Sequence, residues 1–160
     1  MEIRTASRAD LDAVANMEAQ CFPAAEAASR ESLGARLEAF PSHFWLLWDG
    51  ETLAACVNGM ATDTPDLADG MYHNARLHDP NGKWQMIFGV STRPEYRGRG
   101  CAAQLLERAI ADAREQGRAG LVLTCKKKLI SYYAKFGFRD EGMSDSTHGS
   151  VVWHQMRLAF

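Results

Sequence analysis

The sequence contains no C-x-x-C pair: Cys21, Cys56, Cys101 and Cys125 stand far apart, which excludes the common zinc-ligand spacings and leaves four core or site-lining thiols. No apolar run approaches the length of a membrane span, so no membrane partner is expected. The start, Met1-Glu2-Ile3-Arg4, lacks the basic-then-apolar plan of a secretory leader, and reduced thiols in a cytoplasm are the expectation. Neither sign of charge is in excess. With 18 Lys and Arg against 20 Asp and Glu, the formal net charge of -2 gives no field that would attract nucleic acid. Internal repeats and low-complexity tracts are also missing, so one domain over residues 1–160 is expected.

What is present suffices for a core, since 46% of the 160 residues are apolar. Ile3 to Ala6 is β-compatible, and Ser7 caps a helix starting near Arg8 with Leu11, Val14 and Met17 on one face. Cys21-Phe22-Pro23 interrupts it. Ser29 and Ser32 open a second helix carrying Leu33, Leu37 and Phe40 until Pro41. Phe44 to Trp48 and Leu53 to Met60 read as a hairpin about Asp49-Gly50. From Ala61 to Lys83 the chain is polar and irregular, longer than a connection needs, which is often the mark of a functional excursion.

Trp84 to Thr92 reads as one strand, and Ala102 to Gln116 as a strongly amphipathic helix ended by Gly117. Leu121 to Thr124 follows as a buried strand. Leu129 to Lys135 makes a short helix before Gly137, and strands from Phe138 and over Val151 to Leu158 close the chain. The order predicts an α+β, three-layer fold with a mixed central sheet of about six to seven strands flanked by helices.

Between the strand ending at Thr92 and the helix from Ala102 lies Arg97-Gly98-Arg99-Gly100-Cys101-Ala102, an R-x-x-G-x-A turn. The first amides of a helix have no intrahelical acceptor, and the dipole adds positive charge there, so the turn suits an anion such as a diphosphate. No Gly-Lys-Ser or Gly-Lys-Thr follows, which excludes a Walker loop, and the G-x-G-x-x-G spacing of a dinucleotide fold is absent.

Val90 to Leu106 as a whole resembles the acetyl-CoA motif of the GNAT acetyltransferase superfamily, and Tyr132-Tyr133-Ala134-Lys135-Phe136-Gly137-Phe138 resembles its second, tyrosine-rich signature. The resemblance implies the GNAT acyl-CoA N-acyltransferase fold. It implies acetyl-CoA as donor, with no metal, held by the strand residues Phe88, Gly89 and Val90, by Thr124, and by Arg97, Gly98, Arg99, Gly100, Cys101 and Ala102. It also implies direct attack by an amine in a ternary complex, with Tyr133 as the acid that protonates the leaving thiolate.

Cys21-Phe22-Pro23-Ala24-Ala25-Glu26-Ala27 and Leu77-His78-Asp79-Pro80-Asn81-Gly82 look like segments of the arylalkylamine N-acetyltransferases, which makes Glu26 the candidate base. The paired histidines of vertebrate members are replaced here by Met86 and Phe88, so their relay is not implied. Phe22, His78 and His148 are the candidate acceptor contacts, and Trp45, Trp84, Phe88 and Trp153 are aromatic candidates for the wall of a pocket. The expected partner is a small-molecule amine, with a homodimer left open. A CoA-binding sensor and a protein N-terminal or lysine acetyltransferase remain the alternatives.

Overall fold

A computed structural model describes residues 1–160. Along β2 (Phe44–Asp49) side chains alternate, and the alternation divides two cores: Phe44 and Leu46 enter one, Trp45 and Leu47 the other. β7 (Gly120–Cys125) divides in the same way, with Val122 on one face and Leu121 and Leu123 on the opposite face. The first core lies under α1 (Leu11–Cys21) and α2 (Arg30–Ala39), and the second under α4 (Cys101–Glu115) and α5 (Ile130–Ala134). Helices therefore cover both faces of the strands, as the element order predicts.

Local chemistry explains the helix ends. The Asp10 carboxylate accepts from the Ser7 amide at 2.8 Å and pairs with Arg4, so the chain enters through a 3-10 turn and α1 begins at Leu11 rather than Arg8. Ser29 caps α2 by accepting from the Ser32 amide at 3.1 Å. α4 buries Cys101, Leu105, Leu106, Ala109 and Ala113, one stripe of a helix whose other faces are polar.

The strands form two hydrogen-bonded halves. β1 (Glu2–Thr5), β2, β3 (Thr52–Asn58) and β6 (Gly89–Thr92) are antiparallel in that order. The second half runs β4 (Ala61–Thr62), β5 (Trp84–Ile87), β7, β9 (His154–Ala159) and β8 (Arg139–Met143), with β5 and β7 parallel.

The stretch expected as one strand from Trp84 to Thr92 thus breaks at Phe88, and the mixed sheet has nine strands in two halves rather than six or seven in one. The facing chain causes the break. β3 stops at Asn58, and a side chain at residue 59 would lie 1.7 Å from the Met86 carbonyl oxygen, so only Gly59 permits the approach. The Met86 amide donates to Met60 O and the Phe88 amide to Asn58 O, both at 2.7 Å, so the paired chains kink together. Beyond Ile87 and Leu123, β6 follows β3 while β7 continues straight, and a wedge opens between them.

Beside α2 the buried His43 and the half-buried His78 pack together as neutral rings. The His43 Nδ1–H donates to Gln85 Oε1 at 2.7 Å, and His78 Nδ1 accepts from the Ala61 amide at 3.1 Å, with the two rings 4.7 Å apart. Burial lowers both pKa values, that of His78 to about 4, with neighbouring His43 and Arg118 pushing the same way and Asp79 against them. An unfolded histidine titrates near 6.5, so between about pH 6.5 and 4 the unfolded chain binds more protons than the folded one. Stability is therefore complete above pH 6.5 and is lost as pH falls toward 4. Urea unfolding at half-unit pH steps should show this decline in wild type and a shallower one in His78→Asn.

Candidate active site

The Arg93 amide donates to Ala54 O at 2.8 Å, and the pairing registers Ser91 and Gly89 in the same phase toward β3. By the two-residue alternation of an antiparallel ladder, Val90 and Thr92 turn their N–H and C=O groups the other way, into the wedge. Thr92 O indeed lies there, 3.3 Å from Cys21 Sγ and 3.4 Å from Arg97 Nε. An open strand edge of this kind pairs with an amide-bearing ligand arm as it would with another strand.

At the far end of β6 the turn into α4 presents amides. Gly98 and Gly100 have φ of 79° and 73°, and a Cβ at either position would meet nothing within 4 Å, so the backbone rotation and not crowding calls for glycine. No side chain caps α4, and the amides of residues 98 to 103 donate to no acceptor in the protein. Six convergent donors at the positive end of a 15-residue helix fit a diphosphate. Tyr96 donates to Asp49 at 2.6 Å and carries Arg99 over its ring at 5.1 Å, which ties the turn to the β2–β3 hairpin. Cys101 is buried with its thiol toward Tyr96 O, so only its amide faces outward.

The wedge deepens into a cavity of about 530 Å³ whose walls include Glu18, Phe22, Phe88, Thr124, Tyr133 and His148. Its roof joins two distant segments. Within the 61–83 excursion, α3 (Asp69–His73) places the Tyr72 ring parallel to His148 at 5.3 Å, with the Tyr72 hydroxyl 3.2 Å from Thr124 Oγ1. Asp69 clasps the loop before β9 by accepting from the Ser146 hydroxyl and from the Thr147 amide at 3.0 Å.

The family profile described as Acetyltransferase (GNAT) family matches residues 11–138. The chain belongs to the GNAT acetyltransferase family. It is an acyltransferase, and its amide cradle and open strand edge fit a coenzyme A thioester. A probable glucosamine 6-phosphate N-acetyltransferase of Oryza sativa subsp. japonica is 28% identical over 98 residues, covering 61% of this chain and 59% of the rice protein. The chain thus matches less than two thirds of that relative. Two solved structures share the fold: a GphF GNAT-like decarboxylase in complex with isobutyryl-CoA, at a TM-score of 0.82 and 22% identity over 99% of both chains, and the loading GNATL domain of CurA from Lyngbya majuscula, at 0.85 and 14% over 99% and 96%.

In this GNAT acetyltransferase the residues expected at the site separate into three groups. Phe22, Phe88, Gly89, Val90, Thr124, Tyr133, Glu26, His148 and Trp153 line the cavity, while Arg97 to Ala102 form the cradle outside it. His78 does neither: half-buried, it is held against His43 and Phe40 and contributes nothing to the cavity wall. Trp45 and Trp84 are likewise elsewhere, Trp45 donating to Asp112 and Trp84 lying under Arg157. Tyr133 is 7% exposed, and its hydroxyl makes no hydrogen bond to the protein; burial raises its pKa, so the phenol is neutral. The Glu26 carboxylate is engaged by Lys126, with oxygens 2.9 and 3.1 Å from Nζ.

Glu18, Arg36 and Tyr72 were not anticipated, yet all three line the cavity. Glu18 and Arg36 each occupy the buried stripe of an amphipathic helix, beside Val14 and Met17 in α1 and between Leu33 and Leu37 in α2. A charge inside an apolar stripe is the signal that would have found them. The Ala28 amide donates to Glu18 Oε2 at 2.8 Å, and burial raises the Glu18 pKa, opposed by that bond and by Arg36 and His148.

Valine cannot adopt the φ of 73° at position 100 without strain. Gly100→Val should weaken CoA binding by about tenfold or more while leaving the far-UV circular dichroism unchanged, as measured by isothermal titration.

Proposed function

We propose that this acyltransferase acetylates a primary amine of a small molecule, taking the acetyl group from acetyl-CoA by direct attack, as a single catalytic domain acting in the cytoplasm. The observation that carries the reading is the placement of two proton-handling groups on opposite walls of the wedge. A Cβ built at Gly89 would lie 3.9 Å from Glu18 Oε1, so that carboxylate stands where β5 and β6 part. Tyr133 stands across the cavity on α5, beside Cys125 of β7.

Glu18 takes the proton from the incoming ammonium, and its raised pKa makes it a stronger base than an exposed carboxylate. The amine nitrogen then bonds to the thioester carbon, the carbon–sulfur bond breaks, and Tyr133 supplies a proton to the departing sulfur. An amide, a thiol and one released proton balance the reaction. Glu26, the residue first expected as base, is assigned instead to holding Lys126 at the rim, since its carboxylate is already ion-paired.

A roof of Tyr72, His148 and their latch favours a compact acceptor over an extended peptide. The name of the rice relative, an amino-sugar phosphate acetyltransferase, supports the same class. Aromatic walls from Phe22, Phe88 and Trp153 suit an acceptor with an apolar body, arylalkylamines among them.

Thiol release from acetyl-CoA over a panel of amines tests the reading. Wild type should turn over, with an acidic limb in kcat/KM displaced above the ordinary carboxylate range because Glu18 must be ionised. Tyr133→Phe and Glu18→Gln should each lower kcat about a hundredfold, and Glu18→Gln should remove that limb. Tight CoA binding with no turnover on any amine or peptide would instead mark a sensor, and full activity in either variant would remove that residue from the chemistry.

A further inference from the structure

Arg36 is 4% exposed, yet it is one of the residues that wall the cavity. Its Nη1 donates to Asn58 Oδ1 and its Nη2 to Tyr72 O, each at 3.1 Å, while Nε has no acceptor. Two of the five guanidinium N–H groups are thereby answered. No ion pair in the protein includes Arg36; the largest charge acting on it is Glu18, which raises its pKa through space while burial lowers it. The guanidinium lies over Phe88, 4.8 Å from the ring centre, at the residue where β5 and β6 separate.

A buried cation without a counter-ion in contact is costly, and fastening α2 to Asn58 and Tyr72 requires hydrogen bonds but no charge. The charge has a use if an anion enters the cavity. Its position decides which anion: Glu18 and Arg36 stand on the same side of the wedge, a carboxylate and a guanidinium both facing one acceptor.

We propose that Arg36 binds a carboxylate carried by the acceptor, so that the substrate is an amino acid or another amine with a carboxylate a few bonds from its nitrogen. The assignment rests on the amine-acetylation reading. The ammonium goes to Glu18 and the carboxylate to Arg36, so that each buried charge receives its complement. A carboxylate carries one charge in a planar fork, which a single guanidinium matches, whereas a phosphate monoester with nearly two charges asks for further cations. Of the two lysines that also line the cavity, Lys126 is occupied by Glu26 and Lys128 is exposed to solvent.

Steady-state kinetics on matched pairs test it: the proteinogenic amino acids against the amines formed from them by loss of the carboxylate, phenylalanine with phenethylamine and tryptophan with tryptamine among them. At least one amino acid should exceed its paired amine in kcat/KM by about tenfold or more, the scale of a charge-assisted hydrogen bond. In Arg36→Gln that ratio should collapse toward one, chiefly through KM, and Arg36→Lys should recover part of it. Should Arg36→Gln fail to fold, the wild-type ratios and Arg36→Lys carry the decision.

Amines outpacing their amino acids throughout, or a preference that survives in Arg36→Gln, would overturn the assignment while leaving amine acetylation in place. Preference for malonyl-CoA over acetyl-CoA would put the carboxylate on the acyl donor and overturn it equally. No turnover of either series while other amines are acetylated would overturn this assignment alone, and no turnover of any amine with CoA still bound would remove the amine reading and this assignment with it.

Discussion

At Phe88 the amide turns to Asn58 O, and the chain that has been pairing with β7 leaves it for β3. The cavity and the free strand edge are arranged around that change of partner. It opens the wedge, turns the Val90 and Thr92 backbone groups toward it, and brings Gly89 against Glu18. The kink is enforced from the other strand, where Gly59 presses on the Met86 carbonyl and no other residue fits. The two halves remain one fold because the apolar alternation of β2 and β7 feeds a core on each face. Stability comes from those cores, and the cavity occupies the seam where the two halves part.

The two helices on one face each give up one apolar position to a charge. Burial drives the Glu18 pKa up and the Arg36 pKa down, and each opposes the other's shift. Their mutual field offsets part of the desolvation of both, without the contact that would neutralise them as a closed pair. Glu18 accepts from the Ala28 amide and contacts no cation, whereas Glu26 is locked to Lys126.

Most of the element order was legible in the sequence because it rests on local rules: the Asp49-Gly50 hairpin, the stripe of α4 and the Gly117 stop all appear as expected. The glycine turn could be read for the same reason, since the free amides of a helix start follow from the helix alone. What could not be read is what depends on partners distant in sequence. The run from Trp84 to Thr92 gives no sign that its two ends pair with different strands, because the cause lies at Gly59. Glu26 resembled a family segment, yet its ionic partner is Lys126, a hundred residues away. His78 sat in a loop-like segment and is in fact packed against His43 and Phe40. Glu18 and Arg36 were readable in principle, as charges out of place on an apolar stripe.

The open edge of β6 has a consequence for how such a sequence can change over time. A ligand paired along it would meet peptide groups, which every residue type carries, so a donor half built this way is nearly indifferent to the side chains at Val90 and Thr92 provided the strand persists. The proposed acceptor half is written in side chains: Glu18 and Arg36 in the helices, Tyr72 and His148 in the roof. A lineage is therefore free to retarget such an enzyme by exchanging a few of these while the half that holds the donor goes on working throughout, untouched by the search.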